Sequence, residues 1–232
     1  MFQKCLPLLA TMALAGPASA VTVNMSDFVL GAAADVTMVG TDGSPSYEGQ
    51  AGQFQGLFEN TAASAAALRL ELQATASSTS FVAWCAELTQ TFSFGTDYTY
   101  NLVSGASHFG AEKSTDLSRL FTAAQGFVVD QFTSAALQAG IWEIIYEHDP
   151  SFSLTGGTFK GAPETPGGQP AFDTVNGFLL NLASYRADAT IQVLESPDHQ
   201  DFVISTIPEP ETWMLFGIGL GVVGLLRRRR RS

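Results

Sequence analysis

The chain has 232 residues, 46% of them hydrophobic and 14% charged, with 22 acidic residues against 11 basic ones and a formal net charge of −11. That is enough apolar material for one globular domain of ordinary size or two small ones. The acidic balance argues against nucleic acid and anionic polymers as partners.

Residues 1–20 carry a basic Lys4, an apolar run from Cys5 to Leu14, and small residues at Ala18 and Ala20. This is the pattern of a secretory signal peptide cleaved after Ala20. The apolar run is too short to span a bilayer, which needs ~20 residues. Its loss removes Cys5, so Cys85 is left as the single cysteine of an exported chain. In an oxidising compartment such a residue is either a reactive or intermolecularly paired thiol, or a buried inert one. Between Val21 and Thr206, five basic residues (Arg69, Lys113, Arg119, Lys160 and Arg186) face twenty acidic ones, a net charge of −15.

Residues 21–33 alternate apolar and polar side chains and predict a strand. Residues 35–52 are rich in Gly, Ser, Thr and Asp and predict loops with one short strand at 35–39. Period-two alternation resumes at 53–59 and again at 67–75 (ALRLELQAT), a half-buried antiparallel strand. Residues 80–90 (SFVAWCAELTQ) are apolar on both faces, which places that strand inside the sheet. Residues 92–103 continue the β pattern with aromatic side chains at alternate positions suited to cross-strand pairing.

The period then lengthens. Helices are predicted at 114–126, at 130–147 with Asp130 as N-cap, and at 171–184. Residues 151–170 form a Gly/Pro-rich loop, a length usually functional or mobile. Strands at 189–195 and 201–206 close the domain. The fold class is therefore α+β: one mainly antiparallel β domain over 21–206, sandwich- or barrel-like, with inserted helices.

One residue in the 130–147 helix is out of place. On a helical wheel Gln138 sits at the centre of an apolar arc formed by Leu137, Ile141, Trp142, Ile144 and Ile145, with Gly140, Glu143 and Glu147 opposite. A buried carboxamide without partners costs about 1–3 kcal/mol.

At the other end, Pro208-Glu209-Pro210 precedes an uncharged apolar run of 14 residues, 213–226, and the cluster Arg227, Arg228, Arg229, Arg230 and Arg231. The run is ~21 Å long as a helix. It falls short of the ~30 Å hydrocarbon core, and its arginines would stay cytoplasmic. This layout resembles the PEP-CTERM sorting signal of Gram-negative, exopolysaccharide-producing bacteria. The resemblance implies an exosortase-type processing enzyme as partner, transient insertion of a transmembrane helix in the inner membrane, and a final location at the cell surface or in the extracellular biofilm matrix.

Cys85 and Gln138, 53 positions apart, invite one reaction. A thiol placed against a primary amide, with water excluded, can displace ammonia and leave an internal thioester. FVAWCAEL and LQAGIWEI resemble the strand and helix motifs of the Cys–Gln thioester domains of bacterial surface adhesins. The family usually has Thr where Leu137 stands and Ala where Gly140 stands. The resemblance implies that Cys85 is the nucleophile, Gln138 the acyl donor, and Trp84 and Trp142 supporting packing. It also implies covalent adhesion, one event per molecule and not enzymatic turnover, to an amine- or hydroxyl-bearing surface or exopolysaccharide. The alternative is a non-covalent matrix or surface-binding protein in which Cys85 and Gln138 are core residues. A cysteine hydrolase pairing Cys85 with His108 or His148 is a weaker third reading. No cofactor is expected, and no metal-ligand spacing, phosphate loop or nucleophile elbow is present.

Overall fold

The computed structural model describes residues 19–30, 33–59, 80–149 and 151–206. Six strands form a closed antiparallel barrel in the order β1-β4-β5-β9-β8-β6. They are β1 (Ser19–Phe28), β4 (Phe54–Phe58), β5 (Ser80–Cys85), β6 (Asp97–Ser104), β8 (Thr190–Glu195) and β9 (Phe202–Thr206). Closure follows from β1, which pairs with β4 on one side and β6 on the other, so the sheet keeps no free edge. Of the two architectures the alternation allowed, the barrel is the one formed. Val21, Val23 and Met25 of β1 point inward and are at most 1% exposed. The strand also takes in Ser19 and Ala20, the last two residues of the expected leader, with Ala20 opposite Asn101.

A second sheet, of three strands in the order β3-β2-β7, joins β2 (Ala34–Gly40), β3 (Tyr47–Ala51) and β7 (Phe159–Pro163). Two of these correct the sequence reading. Residues 47–51 are a strand within the expected 35–52 loop region, and 159–163 are a strand within the expected 151–170 loop. Neither has enough apolar alternation to declare itself; each forms because β2 offers it a partner edge. The predicted strand at 67–75, the signal peptide except its last two residues, and the sorting tail lie outside the described residues. Among the described residues no helix is long and apolar enough to cross a membrane.

The helices fall between β6 and β8: α1 (Gly105–Phe109), α2 (Ala111–Ala123), α3 (Gln131–Tyr146) and α4 (Gln169–Leu180). The 114–126 prediction is displaced toward the N-terminus, because the helix starts directly after Gly110 and ends at Ala123. The 171–184 prediction ends early: α4 stops at Leu180 and a separate short turn covers Leu182–Ser184. At the start of α3 the Asp130 carboxylate accepts the Thr133 N–H at 2.8 Å. The Thr133 hydroxyl accepts the Asp130 N–H at 3.0 Å, completing a capping box. The Thr133 backbone and side-chain bonds hold the Asp130 pKa below its ordinary value.

Helix α3 is buried around its whole circumference from Ser134 to Ile144. The side bearing Gly140 and Glu143 is covered by α4 and the 151–158 segment, so it is not a solvent face. A Cβ at Gly140 would lie 2.7 Å from Val175 Cγ1 of α4, so the absence of a side chain there lets the two helices pack closely.

Candidate functional site

Strand β5 explains why a glutamine occupies an apolar arc. Along β5, Trp84 and Ala86 direct their backbone groups toward β9, where Ala86 N–H reaches Asp201 O at 2.8 Å. Cys85 therefore directs its N–H and C=O the other way, toward β4. But β4 begins at Phe54, opposite Ala83, so no strand residue remains to pair with Cys85 there. Gln138 fills the gap. Its Oε1 accepts the Cys85 N–H at 2.9 Å and its Nε2 donates to the Cys85 carbonyl at 2.9 Å. The carboxamide acts as one residue of a missing strand and leaves neither backbone group of Cys85 unpaired.

The same helix row continues this function. Ser134, Gln138, Trp142 and Tyr146 are spaced by four and present side chains along one flank of α3. Ser134 Oγ accepts the Gln53 N–H at 2.8 Å, extending the β4 edge. Tyr146 Oη accepts the Leu88 N–H at 2.9 Å, beyond the end of β5. Burial pushes the Tyr146 pKa up to about 12, with its Leu88 bond opposing. Sequence reasoning isolated Gln138 and missed Ser134 and Tyr146, although the four-residue spacing of polar heads was available to find them.

Cys85 is a free thiol, 9% exposed, and Gln138 is fully buried. Burial, with a smaller contribution from the Glu87 carboxylate, raises the Cys85 pKa well above the usual thiol range, so the sulfur is protonated. The cysteine borders a cavity of about 260 Å³ whose walls include Tyr47, Phe54, Glu87, Phe92 and Trp142. The Tyr47 ring lies 5.1 Å from that of Trp142, centroid to centroid, at an interplanar angle of 58°. Tyr47 donates to Gln50 O at 2.6 Å. Burial first, and then the proximity of Cys85 and Asp35, push its pKa up to about 12.

The other predicted site residues divide. Trp142 borders the Cys85 cavity. Trp84 does not share it: Trp84 packs toward α2, 6.1 Å from the Phe121 ring. It lines a different groove together with Leu137 and Gly126. The histidines are engaged elsewhere. His108 Nδ1 lies 3.1 Å from Glu195 and its Nε2 3.6 Å from Asp201, while the His199 ring packs at a tilt against Tyr98, centroids 4.3 Å apart. The backbone N–H of His148 donates to Glu147 Oε1 at 2.6 Å. Among the described residues no histidine is hydrogen-bonded to Cys85, and no group of three or more His, Cys, Asp and Glu is placed to hold a metal ion.

Two buried carboxylates frame the far end of α3. Glu147 is held ionised: burial opposes the charge, but backbone N–H groups of Asp149, Phe159 and His148 and the Thr158 hydroxyl outweigh it. Glu143 is fully buried, and burial raises its pKa to about 8. Its Oε1 accepts the Ser153 N–H at 2.7 Å and its Oε2 has no partner.

Residues 206–231 match the PEP-CTERM protein-sorting motif. The match marks the chain as a secreted, surface-sorted protein carrying a signal of the kind that exosortases process. Compared with curated proteins and with solved structures, the chain matches none.

Proposed function

We propose that Cys85 and Gln138 form an internal thioester through which this surface-sorted protein attaches covalently to an amine- or hydroxyl-bearing partner on a surface or in exopolysaccharide. The observation that carries the reading is the pair of hydrogen bonds between the Gln138 carboxamide and the Cys85 backbone. They close a ring that holds the amide carbon opposite Cys85 Cα, the atom bearing the thiol side chain. Such positioning replaces a bimolecular encounter by an intramolecular one. The sulfur attacks the amide carbon, the C–N bond breaks, and the thiol proton leaves with the nitrogen as ammonia. The Cys85 N–H that binds Oε1 stabilises charge on that oxygen. A partner amine or alcohol then attacks the same carbon, the C–S bond breaks, and the proton of the nucleophile passes to sulfur. Each molecule reacts once, so the protein is a covalent adhesin and not an enzyme.

A second reading rests on the same two bonds. They satisfy both backbone groups of Cys85, so Gln138 has a structural reason to be present without any reaction. The domain then works as a non-covalent surface or matrix module. Intact mass of freshly purified protein separates the two. The thioester form is lighter than the sequence by one ammonia, and Cys85→Ala or Gln138→Ala abolishes that deficit. A full mass with a titratable thiol in the unfolded protein refutes the first reading.

A further inference from the structure

Three of the four side chains in the Ser134, Gln138, Trp142, Tyr146 row place their polar atoms on backbone groups next to the barrel edge: Ser134 on Gln53, Gln138 on Cys85, and Tyr146 on Leu88. Trp142 is the exception. Its Nε1 is buried, has no hydrogen-bond partner, and belongs to a side chain only 2% exposed. An unpaired buried N–H costs of order 1–3 kcal/mol. A phenylalanine would fill an aromatic slot without that cost. The ring borders the cavity that Cys85 borders and packs at a tilt of 58° against Tyr47.

We propose that the Trp142 Nε1–H is the second donor of an oxyanion site whose first donor is the Cys85 N–H. The oxygen it serves is Oε1 of Gln138, at the stage when the acyl carbon is tetrahedral. This role rests on the thioester reading. Helical side chains lean toward the N-terminus, so the indole at position 142 leans back toward the residue one turn earlier, which is Gln138. In the planar amide, Oε1 is bound by Cys85 alone at 2.9 Å. When sulfur or an incoming amine adds to the carbon, that oxygen gains charge and leaves the amide plane, and a donor unused in the ground state becomes useful. An interaction present only in the transition state lowers the barrier without stabilising the reactant. Atoms balance as above: Trp142 gives up no proton and only binds the oxygen while the C–N or C–S bond breaks.

The test keeps the ring and removes the N–H. Benzothienylalanine, introduced at position 142 by amber suppression, replaces the indole nitrogen by sulfur at nearly constant shape. Trp142→Phe serves as the smaller variant. Methylamine is the nucleophile, and its incorporation at Gln138 is followed by mass, alongside the rate of ammonia loss during refolding and the thermal midpoint. Loss of one oxyanion donor typically slows reaction by about 10²–10³-fold. Both rates should fall on that scale in the benzothienyl protein while its thermal midpoint is at or above the wild-type value, since the unpaired N–H is gone. Wild-type rates in that protein overturn the donor role and leave the N–H bound to cavity water, and slow reaction confined to Trp142→Phe assigns the residue to packing alone. A wild-type protein with no ammonia deficit sinks the thioester reading itself, and this role with it.

Discussion

Gln138→Glu, made in a Cys85→Ala background where no thioester can form, tests whether the carboxamide completes the strand edge. One carboxylate oxygen can still accept the Cys85 N–H. The other must face the Cys85 carbonyl, now 2.9 Å from a donor nitrogen, and can do so favourably only as a protonated hydroxyl. Position 138 is fully buried, so ionisation is opposed by desolvation as well. Fully buried glutamates reach pKa values of about 8–9, against about 4.3 in an unfolded chain. The folded pKa is raised, so the folded state holds a proton that the unfolded state releases. The variant therefore matches its parent below about pH 4 and loses stability as pH rises above it, by about 1.4 kcal/mol per unit. At pH 7 the penalty relative to Cys85→Ala alone should reach about 3–4 kcal/mol, read from urea unfolding at a series of pH values. Glu143 and Asp201 titrate in both proteins and cancel in the difference. A penalty that does not change with pH would refute the orientation of the amide and the strand-mimic argument.

Two further outcomes follow from α3. Glu143→Gln keeps the acceptor for the Ser153 N–H and removes an acid whose folded pKa is raised to about 8. Between about 4.5 and 8 the wild type holds a proton at Glu143 that its unfolded chain releases, so it loses stability relative to the variant across that window, while the Asp201 contribution is common to both. Thermal midpoints of the two proteins should be close at pH 5 and diverge in favour of Glu143→Gln by pH 8; parallel curves would refute this. Gly140→Ala gains about 0.5–1 kcal/mol of helix propensity, but overpacking against Val175 costs about 1–3 kcal/mol. It should be destabilised, and Val175→Ala should relieve it in a double-mutant cycle; additive effects would show that the two do not touch.

The departures of sequence from structure share a physical cause. Strands β1, β2, β4, β5, β8 and β9 and helix α3 were legible because local patterning and one cap, Asp130, are enough to specify them. Strands β3 and β7 were not, because their backbone hydrogen bonds are paid for by a distant edge, β2, and not by their own side chains. The wheel placed Glu143 opposite the apolar arc correctly, but a wheel has no knowledge of α4, which removes that face from water. Gly140, read as a departure from a family pattern, is explained by Val175, 35 positions away.

By itself the sequence determined the sorting tail and the anomaly at Gln138, since each is a matter of which residue types stand where. Only the tertiary structure decided that the amide faces the cysteine's backbone. The cause is that β4 begins two residues short of the position opposite Cys85 and leaves two polar groups that a side chain from another element must satisfy. It also decided that Trp142, alone in its row, has a buried polar atom with no hydrogen-bond partner, because hydrogen-bond satisfaction is set by neighbours brought together from across the chain.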